Sequence, residues 1–270
     1  MINLSQQEFH WLADYVYNYC GIDLKQKKHL IESRLSHHLL ETGFSSFVGY
    51  YRHLLQDSTG ESITAMLDRI TTNHTYFMRE SQHFDFFRDR VLPELLSKVK
   101  NRDLRIWSAG CSSGEEAYTL AMVIRDFFSS QQAAWDTRIL ATDISTRALK
   151  KAKEAVYAEE QIEALPAGWK LRYFQEINRD SFRIRERIRR QVIFRRFNLM
   201  ESPFPFKKAF QVIFCRNVLL YFDSSTRSKL IQRFYDSIED GGYFFIGQAE
   251  SINWDNNRFS YVMPAVYRKE

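Results

Sequence analysis

Cysteine and proline are scarce in this chain, three and five in 270 residues. Cys20, Cys111 and Cys215 are odd in number and share no metal-binding or redox spacing. That argues against a disulfide framework and leads us to expect a reduced, cytoplasmic protein. Long apolar runs are also lacking. None approaches the roughly 18 residues that cross a bilayer, so no membrane insertion is expected. The opening, MINLSQQEFHWLADYVYNYCG, has neither the basic stretch nor the apolar core of a secretory leader. The seven histidines read as surface or core residues, and no metal site is expected. What is present is ample core material: 44% hydrophobic and 15% aromatic residues, which excludes disorder. The formal charge of +5 and pI near 9.0 suit acidic partners, either nucleic acid or an acidic protein surface.

Residues 1 to about 75 read as a small helical domain. Ser5 with Glu8 three residues on is a capping box, Phe9, Leu12, Ala13, Val16 and Tyr17 share one face, and Gly21 is a stop signal. DLKQKKHLIESRLSHHLLETG repeats the pattern, with Leu30, Ile31, Leu35 and Leu39 apolar and Gly43 at its end. SSFVGYYRHLLQD and ESITAMLDRITTN supply two shorter helices. Beyond a linking helix in HFDFFRDRVLPELLSKVKNRD, strands and helices alternate through residues 76–270. LRIWSAG, RILATDIS, FQVIFCRNVLLYF and YFFIGQAES read as strands. STRALKKAKEAVYA and SSTRSKLIQRFYDSIEDGG read as helices, the second ending on its two glycines. Such alternation predicts an α/β, doubly wound parallel sheet of Rossmann-like type. SFRIRERIRRQVIFRRF interrupts it with strict alternation from Phe182 to Arg189, which predicts a strand with one basic face. Together with RYFQEI it suggests an inserted antiparallel β-subdomain over about 172–197.

Ligands of such sheets bind beyond the C-terminal ends of the strands, where SAGCSSGEE, TDIS and CRN fall. In IWSAGCSSGEEAYTLA the turn places Glu115 and Glu116 at a helix N-terminus, the place that nucleotide-binding proteins offer to phosphate. Asp143 ends the second strand and is read either as an acceptor for ribose hydroxyls or as the cap of the next helix. A ribose-binding carboxylate beside an anionic turn selects a nucleoside with positive charge and no phosphate. S-adenosylmethionine fits that description. Arg79, in TTNHTYFMRE, is either a bidentate clamp for the ligand's carboxylate or a solvated linker residue.

Read in order, TTNHTYFMRE, IWSAGCSSGEEAY, ATDIS, FNL and VIFCRNVLLYF resemble the CheR family of chemotaxis receptor methyltransferases over nearly the whole chain. The resemblance implies a class I methyltransferase sheet and an S-adenosylmethionine site lined by Asn73, Thr75, Arg79, Glu116, Asp143, Asn198, Leu199, Arg216 and Asn217. It gives Arg79 and Tyr221 catalytic roles, Tyr221 by helping to position the reacting groups. It implies methyl esterification of glutamate side chains on the cytoplasmic helices of chemotaxis receptors, a reaction that needs no general base because the acceptor is already ionised at neutral pH. Lys27, Lys28, Arg34, His37 and His38 are candidates to face the acidic receptor helix, although the family usually carries more arginines here. Some members grip a receptor pentapeptide with a longer, glycine-containing loop. The short EINRDSF implies no such tether. Met78 stands where the family commonly has phenylalanine. Two alternatives remain open, a nucleic-acid methyltransferase and a cofactor-binding sensor without transfer activity. Against the first, CRNVLLY is not the Asn/Asp-Pro-Pro-aromatic motif of amino-group methylation, and no aromatic platform accompanies the arginines.

Overall fold

The computed structural model describes residues 2–99, 101–128, 135–252 and 258–270. Its first layer is four helices: α1 (Gln6–Cys20), α2 (Lys28–Glu41), α3 (Phe47–Gln56) and α4 (Glu61–Ile70). The capping box forms as the sequence predicts. Ser5 Oγ accepts from the Glu8 amide at 3.3 Å, and the Glu8 carboxylate accepts from the Ser5 amide at 2.8 Å. Gly21, at φ 73°, closes α1 in the left-handed conformation that glycine adopts without strain. Phe9, Leu12 and Val16 of α1 pack with Leu35, Phe47 and Met66 into a core of their own.

A bent helical segment leads into the sheet: α5 (Gln82–Phe86), one π turn (Phe87–Val91) and α6 (Leu92–Lys98). The π turn ends two residues before Pro93, which has no N–H to give and would crowd the preceding turn of a regular helix. Then come β1 (Ile106–Ala109), α7 (Glu115–Phe128), β2 (Ile139–Asp143), α8 (Thr146–Glu154), β3 (Val156–Ala158), α9 (Glu159–Ile162) and α10 (Trp169–Tyr173). After them run β4 (Phe174–Asn178), β5 (Ser181–Ile184), α11 (Glu186–Arg189), β6 (Val192–Arg196), β7 (Phe210–Cys215), α12 (Ser224–Asp236), β8 (Ile238–Ile246), β9 (Phe259–Met263) and β10 (Val266–Lys269). The main sheet has the order β6-β2-β1-β7-β8-β10-β9. Its first five strands are parallel, and β10 runs antiparallel to both β8 and β9. This is the doubly wound class I methyltransferase sheet expected. The strand order reverses between β1 and β7, which opens a crevice at their C-terminal ends.

Three local readings are corrected. The alternating strand expected over Phe182–Arg189 is cut short: β5 stops at Ile184 and α11 follows. Helical geometry brings Glu186 to Arg189 at 3.2 Å and to Arg190 at 2.9 Å, and it lets Ile188 reach the core that Ile184 already occupies. An extended chain would offer neither pairing. The inserted antiparallel β-subdomain is present as the small sheet β3-β5-β4, in which β4 and β5 form a hairpin, but β6, at the end of the expected span, joins the edge of the main sheet. The helix assigned to SSTRSKLIQRFYDSIEDGG ends at Asp236, and its glycines belong to β8, where the register with β7 shifts. The long apolar strand FQVIFCRNVLLYF ends at Cys215, because Asn217 turns the chain at φ 60° into a short 3-10 turn, Leu219–Tyr221.

Candidate functional site

The glycine turn after β1 answers the question that its glutamates raise. Gly110 sits at φ 81°, and a Cβ there would run into Val218, so only glycine fits. The amides of Gly110 and Cys111 donate to the Thr142 carbonyl at 2.8 and 2.9 Å, tying the turn to the end of β2. From this turn α7 sends its two glutamates apart. Glu116 faces the crevice, where Oε1 accepts from the Ser108 hydroxyl at 2.7 Å and Oε2 pairs with Arg216 at 3.1 Å. Glu115 is buried elsewhere and accepts from the Ser113 hydroxyl at 2.8 and 3.0 Å. An uncompensated anionic turn is therefore not what the fold builds. One carboxylate leaves the crevice and the other shares a guanidinium.

Of the two readings of Asp143, the structure bears on the cap. Ser145, not Asp143, caps α8, accepting from the Ala148 amide at 3.1 Å. Asp143 instead accepts from the Ser112 amide at 2.8 Å and the Ser145 amide at 2.9 Å. These bonds do not exhaust a carboxylate's roughly four acceptor positions. Burial raises its pKa, against the lowering effect of these backbone bonds.

The segment between the domains wraps the crevice. The Asn73 carbonyl accepts from the Ser112 hydroxyl at 3.1 Å, and its side chain donates to Ser145 at 3.3 Å. Arg79 is half-buried, donates to the His74 carbonyl at 2.8 Å and stands 5.9 Å from the Tyr76 ring. Its neighbours Met78 and Glu80 both hold positive φ, 59° and 54°, an uncommon pair that folds Arg79 and Glu80 inward together.

Glu80 is the residue that the sequence reading missed, although it adjoins Arg79 in the quoted motif. Arg216, buried to 1%, lies between Glu80 at 3.0 Å and Glu116 at 3.1 Å and also donates to the Arg79 carbonyl. Burial pulls Glu80 upward, but Arg216 and Asn217 outweigh it and hold its pKa below the ordinary value. Burial wins at Glu116, whose pKa is raised despite the same arginine. A second missed residue, Glu250, accepts from the amides of Asn217 at 2.8 Å, Gly247, and Leu220 at 3.2 Å. It thereby fixes the loop that carries Arg216, Asn217 and Tyr221. No local signal in QAES marks its role, since the two partners that tie it to this loop, Asn217 and Leu220, lie some thirty residues earlier in the chain.

Asn198 and Leu199 follow β6 and meet the helical layer: Asn198 donates to the Tyr19 carbonyl at 2.7 Å. Tyr221 donates its hydroxyl to the Thr72 carbonyl at 3.1 Å. All nine residues expected at the cofactor, together with Tyr221 and Lys27, line one cavity of about 340 Å³. Its charged lining is balanced, with Asp23, Glu116 and Asp143 against Lys27, Arg79 and Arg216.

The expected receptor-facing residues do not share one surface. Lys27 lines the cavity mouth at the start of α2, and Lys28 is its first residue. Arg34 turns inward and donates to the Ile70 carbonyl at 2.7 Å and to Thr72. His37 is exposed and lies 3.1 Å from Glu41. His38 is buried edge-on to Tyr50, and burial lowers its pKa, so it cannot face a partner. An apolar neighbour at the facing position of α3 decided this, which α2 alone could not reveal.

Glu115 yields a pH-dependent prediction. Burial pushes its pKa up to about 7, against the Ser113 bond. A carboxyl whose folded pKa exceeds its unfolded value favours the fold when protonated, so stability falls as pH rises from about 4.5 to about 7. Glu115→Gln removes that loss. Its melting temperature should exceed that of the parent at pH 8, equivalent to about 1–3 kcal/mol, and converge with it at pH 5. Parallel melting curves at both pH values would show that Glu115 does not titrate in this range.

Known proteins of similar sequence place the chain in a family. A family profile described as "CheR methyltransferase, SAM binding domain" matches residues 73–267, and one described as "CheR methyltransferase, all-alpha domain" matches residues 7–71. A chemotaxis protein methyltransferase of Borreliella burgdorferi is 44% identical over 99% of this chain and 96% of its own length. A probable chemotaxis protein methyltransferase of Rhizobium etli is 37% identical over 94% of this chain and 96% of its own. The chemotaxis protein methyltransferase of Escherichia coli K12 is 31% identical over 98% and 91%. The chain belongs to the CheR family of S-adenosylmethionine-binding methyltransferases.

Proposed function

We propose that this enzyme acts in chemotaxis, transferring the methyl group of S-adenosylmethionine to glutamate side chains on the cytoplasmic helices of receptors and leaving glutamate methyl esters. The observation that carries the reading is the convergence of the expected residues on one cavity at the strand-order reversal. S-adenosylmethionine, when bound, supplies a methyl group activated by a sulfonium. The lining fits it. Asp143 keeps acceptor capacity for ribose hydroxyls, Arg79 presents a guanidinium for the amino-acid carboxylate, and the buried Arg216 Nε has no hydrogen-bond partner among the described residues. The balanced charge of the cavity suits a ligand that carries both an anionic carboxylate and cationic groups. Because a glutamate acceptor is already ionised at neutral pH, the chain's part is to align it and exclude water. In this reading Tyr221, anchored on Thr72, helps to hold the acceptor in line, and Glu80 and Glu250 keep the Arg216–Tyr221 loop in place. The setting of this reaction is cytoplasmic, and no described helix is long and apolar enough to cross a membrane.

The reading also includes docking without a pentapeptide tether. Only Arg179 and Asp180 connect β4 to β5, and this tight turn is braced by the Asn178 side chain. A tethering pentapeptide that bound with micromolar affinity would overturn that part.

The test uses the purified enzyme, methyl-labelled S-adenosylmethionine and cytoplasmic receptor fragments from the same organism. Label should enter the fragments and leave as methanol in mild alkali. Alkali-stable label would place the methyl group on nitrogen or another acceptor and sink the carboxylate mechanism.

A further inference from the structure

With His38 buried and Arg34 bonded inward, the basic face expected on α2 is thin. The fold gathers positive charge elsewhere. An open cleft of about 950 Å³ runs between α8 and the β5–β6 segment, walled by Lys150, Lys153, Arg183, Arg189 and Arg196, with Glu154 as its single carboxylate. Of the five cations, only Arg189 has a carboxylate partner among the described residues, Glu186 at 3.2 Å. Arg196 donates to neutral oxygens, Tyr19 Oη at 3.0 Å and Thr64 Oγ1 at 2.9 Å, which bolts this end of the cleft to the helical layer. Arg196 is also the register partner of Asp143, so the cleft begins one strand away from the cofactor cavity.

Like charges gathered in one cleft repel one another, and the fold supplies almost no counter-charge. Such an arrangement suits an anionic partner. Three features favour a helix over a polynucleotide. Lys150 and Lys153 stand one turn apart on α8, about 4.5 Å along its axis, a spacing that acidic residues at i, i+3 on a second helix can meet. No aromatic side chain lines the cleft to stack a base. Glu154 interrupts the positive surface, which a continuous phosphate backbone would meet unfavourably but a mixed-charge helix can match.

We propose that this cleft docks an acidic helix of the protein substrate, recruiting it beside the cavity in which its glutamate is methylated. The proposal rests on the protein-methylating reading, so its test reads binding without turnover. The probe is a fluorescent helical peptide of about 20 residues with glutamates at i, i+4 and i+7, with its glutamine counterpart as control. At low ionic strength the wild-type enzyme should bind the acidic probe and not the control, and added salt should weaken binding. Lys150→Glu, Lys153→Glu and Arg183→Glu combined should weaken it at least about tenfold, a loss of about 1.4 kcal/mol. Glu154→Gln should tighten it, a gain that misfolding cannot mimic. Unchanged S-adenosylhomocysteine affinity in both variants would show that the cofactor cavity is intact. Equal probe binding by the triple variant, loss of binding only in Lys27→Glu with Lys28→Glu, or preferential binding of a single-stranded RNA of similar length would each overturn the proposal. Failure of receptor methylation with probe binding retained would instead fault the catalytic reading and leave the docking site standing.

Discussion

Arg216→Met should destabilise the enzyme by about 3–5 kcal/mol and abolish measurable binding of S-adenosylhomocysteine. The guanidinium is 1% exposed, and the carboxylates on either side, Glu80 and Glu116, are 13% and 11% exposed. Methionine fills much of the volume but leaves two neighbouring carboxylates without their cation. Burial and mutual repulsion then act on both against only weaker neutral donors such as Ser108 and Asn217, and their folded pKa values should rise above the unfolded ones. A raised carboxyl pKa means that stability is lost as pH climbs through the window between the two values. The deficit should therefore be larger at pH 8 than at pH 5. In the parent, by contrast, Glu80 is held below its ordinary pKa and so contributes stability above the carboxylate range. Thermal unfolding followed by circular dichroism at the two pH values checks the claim. A variant that melts with the parent at pH 8 would mean that the glutamates find other partners, and Arg216 would lose its place as the keystone of the crevice.

Arg79→Ala should separate binding from stability. This side chain is half-buried and makes one hydrogen bond, to His74, so its removal should change unfolding by less than about 1 kcal/mol. Its proposed partner is the carboxylate of the cofactor's methionine moiety. Loss of a charge-assisted pair worth about 1.5–3 kcal/mol would weaken S-adenosylhomocysteine binding by roughly 10- to 150-fold. Arg79→Lys keeps the charge but not the planar fork, and should fall between the two. Isothermal titration calorimetry on folded protein reads this directly. Equal affinity in parent and alanine variant would remove Arg79 from the cofactor site and leave it the solvated linker residue that its sequence context also allowed.

The helical capping box, the stop at Gly21 and the parallel order of apolar strands were legible because each signal acts within a turn or along one strand. The cavity residues were legible as short motifs, most of them at the ends of strands where such sheets bind ligands and the rest in TTNHTYFMRE between the two domains. What lay out of reach depends on side chains meeting across long chain separations. Arg216 joins Glu80 and Glu116 across 136 and 100 residues, and Glu250 reaches Leu220 across 30. Whether a carboxylate is free, shared or buried is set by such pairings and by desolvation, neither of which leaves a periodic trace. The same reason explains the misread arginines between 183 and 189. Their alternation was real, yet Ile188 and the Glu186 ion pairs stabilise a helical turn that local periodicity does not report. By itself, then, the sequence determined the layers of this protein and which short motifs meet at one cavity. Only the tertiary structure decided how charge is shared within that cavity and which basic side chains are left without carboxylate partners among the described residues, because both follow from the burial and pairing of groups distant along the chain.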